Sequence, residues 1–249
     1  MAERARVLLL GGTGEAAALA ARLAGDARID VISSLAGRTR TPADIPGRVR
    51  TGGFGGTNGL AKYLAAEKID LLIDATHPYA ATMPHAAAEA CAQAGVPRLR
   101  LLRPSWPQQQ GDSWIAATGL ATAAAQLPDV AKRVFLTTGQ RDLDAFASLA
   151  DIWFLIRLIE PPDSIQLEHY RVILDRGPFH AESEIALLRE HRIEAVVSKN
   201  SGGIATYGKI AAARGLGLPV IMIERPPQPE GQAVETIDAC VSWLHAQLG

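Results

Sequence analysis

Cysteine is scarce in this chain, and so is any imbalance of charge. The 249 residues hold two cysteines, Cys91 and Cys240, each in an alanine-rich stretch without a metal-ligand spacing. That excludes a disulfide framework, suits a reducing compartment and predicts two buried thiols, with no metal expected. Lys and Arg number 25 against 26 Asp and Glu, a formal net charge of -1, so no global field draws the chain to nucleic acid or to a membrane surface. Long hydrophobic runs are missing too. Only the four apolar residues 7–10 separate the basic start from the first glycines. This is too short for the core of a signal peptide or for a membrane span, and a cytoplasmic protein is expected. What remains is 48% hydrophobic and 20% charged, an ordinary globular composition, long enough for one large or two small domains.

The chain is organised around residues 6–23. A dense apolar run meets Gly11-Gly12-Thr13-Gly14, after which Leu19 and Leu23 recur at helical spacing. The pattern predicts a buried strand, a tight turn and a helix, the opening of a nucleotide-binding βαβ unit. Glycines let the backbone approach a phosphate, and the start of a helix favours an anion. The pattern is GGTG and lacks the full G-x-G-x-x-G, so a merely tight turn would look much the same.

A second strand is predicted over 29–34. An acid at its end would accept hydrogen bonds from a ribose 2′-hydroxyl, and this chain has none there. It offers Ser33, Ser34 and then Gly37-Arg38-Thr39-Arg40, hydroxyls and guanidinium forks suited to a 2′-phosphate, which points to NADPH rather than NADH. A short third strand at 48–51 runs into residues 52–59, where five glycines predict no regular element. Phe54, beside Gly53, is placed to pack on a planar ligand. The strand predicted over 69–76 ends in Thr76-His77-Pro78-Tyr79. In a parallel sheet, Thr76, His77 and Tyr79 would then face the same crevice as Gly12 and Thr13. A helix over 86–94 and a strand over 98–102 follow. Two prolines, a glutamine run and a glycine within 104–111 mark the domain boundary, giving domains 1–104 and 105–249.

The second half repeats the plan. A helix near 120–127 precedes a strand over 133–138 that ends in Gly139-Gln140-Arg141-Asp142. Further strands are predicted over 153–159, 170–174, 195–198 and 220–223, and further helices over 181–191, 206–214 and 237–248. The fold class is therefore α/β with parallel sheets. Residues 203–210 fit a P-loop up to Lys209, but Ile210 stands where Ser or Thr must hold magnesium, which excludes that motif. Lys199-Asn200-Ser201-Gly202-Gly203 reads as an anion site at a strand end.

Together, residues 8–16, Ser34-Leu35-Ala36-Gly37-Arg38, Gly52-Gly53-Phe54-Gly55-Gly56, Asp74-Ala75-Thr76-His77-Pro78-Tyr79-Ala80, Arg103-Pro104-Ser105-Trp106, Gly177-Pro178-Phe179 and Lys199-Asn200-Ser201-Gly202-Gly203 resemble the precorrin-6A reductases, in order and over nearly the whole chain. The resemblance implies two Rossmann-like domains with a cleft between them, NADPH as hydride donor, and reduction of one macrocycle double bond in cobalamin biosynthesis, an oxidoreductase activity. Under it, Gly11, Gly12, Thr13, Ser33, Ser34, Arg38, Gly53, Phe54 and Thr76 hold the cofactor. Lys199, Asn200, Ser201, Gly202 and Gly139 hold the carboxylate-bearing tetrapyrrole. His77, Tyr79 and Asp142 are eligible to move the proton. Neighbouring enzymes of the pathway are candidate partners. The rivals are another NADP-dependent short-chain reductase or epimerase and a non-catalytic NADP-binding sensor. A short-chain enzyme needs Tyr-x-x-x-Lys, and none of Tyr63, Tyr79, Tyr170 and Tyr207 has a lysine four residues on.

Overall fold

A computed structural model describes residues 4–37 and 45–249, so the site assigned to Arg38 lies outside the described residues. In chain order the first elements are β1 (Ala5–Leu10), α1 (Gly14–Leu23), β2 (Ile29–Leu35), β3 (Arg48–Thr51), α2 (Gly56–Ala66), β4 (Leu71–Asp74), α3 (Met83–Ala94) and β5 (Arg98–Leu101). There follow β6 (Ser113–Ala117), α4 (Leu120–Val130), β7 (Arg133–Leu136), β8 (Trp153–Leu158), β9 (His169–Leu174) and α5 (Ala181–Glu190). The last are β10 (Ala195–Lys199), α6 (Gly208–Leu216), β11 (Pro219–Ile223), β12 (Ala233–Val234) and α7 (Ile237–Leu248).

Two parallel six-stranded sheets result, ordered β12-β5-β4-β1-β2-β3 and β6-β11-β10-β7-β8-β9. Each is a doubly wound order, with its reversal between β1 and β4 in one sheet and between β7 and β10 in the other. Period-two geometry explains why β1 is apolar throughout. Val7 and Leu9 join α1 and α7 in one core cluster, while Leu8 and Leu10 join α2 and α3 in another. In the second sheet, Phe135, Leu155 and Val196 pack with Leu188 of α5 and Ile210 of α6. Each fully buried Leu or Phe of these cores contributes roughly 1.5–3 kcal/mol. Cys91 and Cys240 are buried within the first unit, and burial pushes both thiols up, Cys91 to about 11 and Cys240 to about 12.

The units differ from the expected domains at the C-terminus. One is Met1–Arg103 with Pro226–Gly249, the other Pro104–Arg225. The return has two causes. β12 pairs with β5, Ala233 opposite Arg100, and α7 buries Cys240, Val241 and Leu244 in the cluster that holds Leu19 and Leu23. Conversely β6, which follows β5 in sequence, pairs with β11. The glycine run after β3 also departs from expectation, since α2 begins at Gly56. Gly55 is left-handed at φ 80, and a Cβ on Gly59 would lie 1.7 Å from the Phe54 carbonyl oxygen. Glycine there lets the first helical turn lie on the Phe54 backbone, while buried Leu60 and Leu64 hold the rest.

Candidate functional site

In parallel α/β sheets, ligands bind beyond the carboxyl ends of the strands at the reversal of strand order. At β1 and β4 this is where the glycine turn meets residues 75–79. Gly11 donates to the Ser34 carbonyl at 2.9 Å, and its would-be Cβ sits 3.4 Å from the Ala16 Cβ, so it is packed. Gly12 has φ 105 and nothing within 4 Å of a would-be Cβ, so its open side leaves backbone accessible before the helix. The Thr13 hydroxyl is committed. It caps α1 by accepting from Ala16 N at 3.1 Å and donates to the Ala75 carbonyl at 2.9 Å. What Thr13 brings to a ligand is main chain, not hydroxyl. Glu15, in the first turn, accepts from Arg103 at 2.6 Å, an ion pair beside that turn.

The serines of β2 divide. The Ser33 Oγ is buried, with no hydrogen-bond partner among the described residues. The Ser34 Oγ accepts from Arg50 Nη1 at 2.7 Å. Arg50 also donates to the carbonyls of Gly52 at 3.0 Å and Gly53 at 3.1 Å, and its guanidinium carbon lies 3.8 Å from the Phe54 ring centroid. The Phe54 ring is thus engaged by Arg50 and, edge to face, by Tyr63 at 5.1 Å.

At the end of β4, Asp74 is fully buried. Its Oδ2 accepts from Arg100 Nη1 at 2.6 Å, while Oδ1 accepts from Thr76 N at 3.0 Å and Thr76 Oγ1 at 2.6 Å. Burial lowers the Arg100 pKa against the opposing pull of Asp74. The Thr76 hydroxyl thereby ties the loop to Asp74 and keeps its acceptor lone pairs. His77 Nδ1 accepts from the Tyr79 N–H at 3.2 Å, so the neutral ring carries its hydrogen on Nε2, and the two rings sit 5.9 Å apart. Gln228 of the returning segment donates to the Pro78 carbonyl at 3.3 Å.

At β7 and β10, Lys199 Nζ donates to Asp142 Oδ2 at 2.6 Å and to the Thr138 carbonyl at 3.1 Å. Asp142 is thereby an acceptor that fixes the Lys199 ammonium at the strand end. Gly139, at φ 104, has nothing within 4 Å of a would-be Cβ. The Asn200 amide is paired with the Trp106 backbone. Its Oδ1 accepts from Trp106 N at 2.8 Å and its Nδ2 donates to Trp106 O at 3.1 Å. Ser201 is buried, with its N–H on the Lys199 carbonyl at 2.7 Å. A Cβ on Gly202 would lie 2.0 Å from the Pro104 carbonyl oxygen, and Trp106 Nε1 donates to Gly203 O at 2.9 Å. The conformation of the 199–203 segment is thus set by residues 104–106. Lys209 faces inward, donating to Thr206 O at 3.0 Å and lying 5.3 Å from the Trp106 ring centroid. Burial, with Arg157 adding to it and Glu184 opposing, lowers its pKa to about 8.

The sequence reading passed over Arg50 and the Arg103–Glu15 pair. The signal for Arg50 was an arginine two residues before a glycine run that contains an aromatic. An open cavity of about 880 Å³ lined by Arg4, Arg6, Asp30, Lys68 and Asp70 lies at the amino ends of β1 and β4, away from the strand reversal. Within its lining Arg6 pairs with Asp30 at 3.2 Å. Among the described residues no cluster of three or more His, Cys, Asp or Glu is placed to hold a metal, and no helix is long and apolar enough to cross a membrane.

Comparison with known proteins gives a consistent result. A precorrin-6A reductase of Rhodococcus erythropolis is 50% identical over 242 residues, covering 96% of this chain and 97% of its own. A cobalt-precorrin-6A reductase of Methanothermobacter thermautotrophicus is 32% identical, covering 93% of this chain and 80% of its own. The solved structure of CobK precorrin-6A reductase superimposes with a TM-score of 0.93 at 42% identity, over 98% of this chain and 97% of that one. Residues 6–245 match the family model "Precorrin-6x reductase CbiJ/CobK", and the chain belongs to that family.

Proposed function

We propose that this chain reduces one double bond of metal-free precorrin-6A to give precorrin-6B, with NADPH bound by the first unit and carboxylate arms of the macrocycle bound by the second. The observation that carries this reading is the duplication. Each sheet reverses its order between two strands whose carboxyl ends carry the residues in question, Gly12 and His77 in one, Gly139 and Lys199 in the other. A fold with two such reversals offers two ligand sites, which matches a reductase with a cofactor and a large substrate. Identity of 50% to a precorrin-6A reductase against 32% to a cobalt-precorrin-6A reductase supports the metal-free substrate.

The residues present fit the cofactor. Gly12 leaves open space before α1, and Ser34 with Arg50 stands at the end of β2, in the place of the acid that a free ribose 2′-hydroxyl would call for. When bound, NADPH supplies the hydride. The chain's own contribution is to position the reactants and to deliver a proton to the carbon beside the reduced one. His77 and Tyr79 are eligible donors, with Asp74 fixing their loop through Thr76. Lys199, steadied by Asp142 and Thr138, is the cation for a carboxylate arm.

The test is to mix purified protein with NADPH and precorrin-6A, with cobalt-precorrin-6A in parallel, and follow the reduced-nicotinamide absorbance. Consumption with the metal-free macrocycle is expected. No consumption with either macrocycle defeats the reading, and faster turnover of the cobalt form defeats the choice of substrate.

A further inference from the structure

Among the described residues, the cation best placed to recognise a phosphate beside β2 lies on β3. Arg48 and Arg50 stand two residues apart and so share a face of that strand. Arg48 is matched by acids, Glu67 at 3.3 Å and Asp30 at 3.8 Å. Arg50 is not. Among the described residues its hydrogen-bond partners are neutral, the Ser34 hydroxyl and the carbonyls of Gly52 and Gly53, and its guanidinium lies against the Phe54 ring. Such partners fix the guanidinium plane without cancelling its charge. The bonds to the adjacent carbonyls of Gly52 and Gly53 use the end of the fork, which leaves the Nε–H and the second Nη2 hydrogen on its side edge. That edge is the one that meets two phosphate oxygens at once. A Cβ on Gly52 or Gly53, the residues whose carbonyls hold the fork, would meet nothing within 4 Å among the described residues.

We propose that Arg50 is the residue that reads the 2′-phosphate of the dinucleotide, aimed by Ser34 and stacked on Phe54, and so sets the preference for NADPH over NADH. The inference rests on the NADPH reading above and names a side chain for it. An arginine that only pinned the glycine loop would serve both dinucleotides alike. A 2′-phosphate reader serves one.

Calorimetric titration separates these with two probes, adenosine 2′,5′-bisphosphate and 5′-AMP, on the wild type, Arg50→Gln and Arg50→Lys. Melting curves identify any variant that fails to fold, and Arg50→Lys retains the charge and stem if Arg50→Gln does not. The wild type is expected to favour the bisphosphate. Arg50→Gln should lose tenfold or more in bisphosphate affinity with less than threefold change for 5′-AMP, and Arg50→Lys should fall between, because an ammonium lacks the fork. Equal losses for both probes, or none, overturn the role of Arg50 while leaving the NADPH reading intact. A raised KM for the tetrapyrrole with nucleotide discrimination unchanged also overturns it, by moving Arg50 to the substrate. A wild type that binds the two probes alike defeats the NADPH reading itself, and this inference with it.

Discussion

The Lys199 ammonium is held 2.6 Å from the Asp142 carboxylate and 3.1 Å from the Thr138 carbonyl, so the strand-end cation of the second sheet has a fixed position before any substrate arrives. Lys199→Ala is expected to remove a charge-assisted contact of roughly 1.5–3 kcal/mol and raise the KM for the tetrapyrrole about tenfold or more, with NADPH affinity unchanged. Asp142→Asn keeps the shape but loosens the ammonium, and a smaller rise in the same KM is expected. If Asp142 acts only through Lys199, the double variant is no worse than Lys199→Ala alone, a non-additivity that steady-state kinetics reads directly. A fall in kcat at saturating substrate for Asp142→Asn, with KM unchanged, would assign Asp142 the proton-transfer role.

The glycine turn gives a prediction in which bulk and strain separate. Gly12 has φ 105, so any side chain there strains the backbone, by roughly 1–3 kcal/mol, while its Cβ enters open space. Both Gly12→Ala and Gly12→Val are expected to melt earlier than wild type. Valine should lose more affinity for NADPH and NADH alike than alanine does, because only its larger side chain fills the approach to the helix start. Unaltered dinucleotide affinity in Gly12→Val would make the turn purely structural.

The buried Asp74–Arg100 pair, 2.6 Å long, sits beneath the loop that carries Thr76, His77 and Tyr79. Asp74→Asn still accepts from Thr76 but leaves the Arg100 charge uncompensated in the core, at an expected cost of about 3–5 kcal/mol in urea denaturation. Arg100→Met in the Asp74→Asn background removes that charge and is expected to recover much of the loss. A single variant as stable as wild type would show that the pair is neutral to the fold.

How much of this was legible in the sequence depends on what each residue's pattern can encode. The apolar run of β1, the GGTG turn, Thr76-His77-Pro78-Tyr79 and the Lys199 segment announced two parallel sheets and the strand ends that matter, because burial on both faces and glycine in tight turns leave composition signals. β6 and β12 did not. β6 is only partly buried at the edge of its sheet, and β12 has two residues, too few for any periodicity. The apolar face of α7 was visible, yet a periodic pattern states that a face is buried and not against which unit. Neighbourhood in a motif does not reveal that the Asn200 amide is paired with the Trp106 backbone or that the Thr76 hydroxyl donates to Asp74. Arg50 has no sequence signal beyond its place in β3 before the glycine run, because its contacts to the Ser34 hydroxyl and the Phe54 ring are made by the fold.

Lys209, the lysine of the failed P-loop pattern, carries a pH prediction. It is 7% exposed, and its pKa is lowered from 10.5 to about 8, first by burial. A lysine whose folded pKa lies below its unfolded one binds its proton more tightly in the unfolded chain. Between about pH 8 and 10.5 the unfolded state therefore holds more protons, and this group makes stability rise with pH across that window. Below it the charged form is buried at full cost, on the order of 3 kcal/mol for a shift of this size at ~1.4 kcal/mol per pH unit. Lys209→Met keeps the apolar stem against Trp106 and removes the titration. Urea denaturation at pH 7 and at pH 9.5 is expected to show the wild type gaining stability relative to Lys209→Met as pH rises, with the variant ahead at pH 7. The Thr206 carbonyl loses its donor in the variant at both pH values, so that loss cancels from the comparison. A difference between the two proteins that stays constant across the window would mean that Lys209 does not change protonation there.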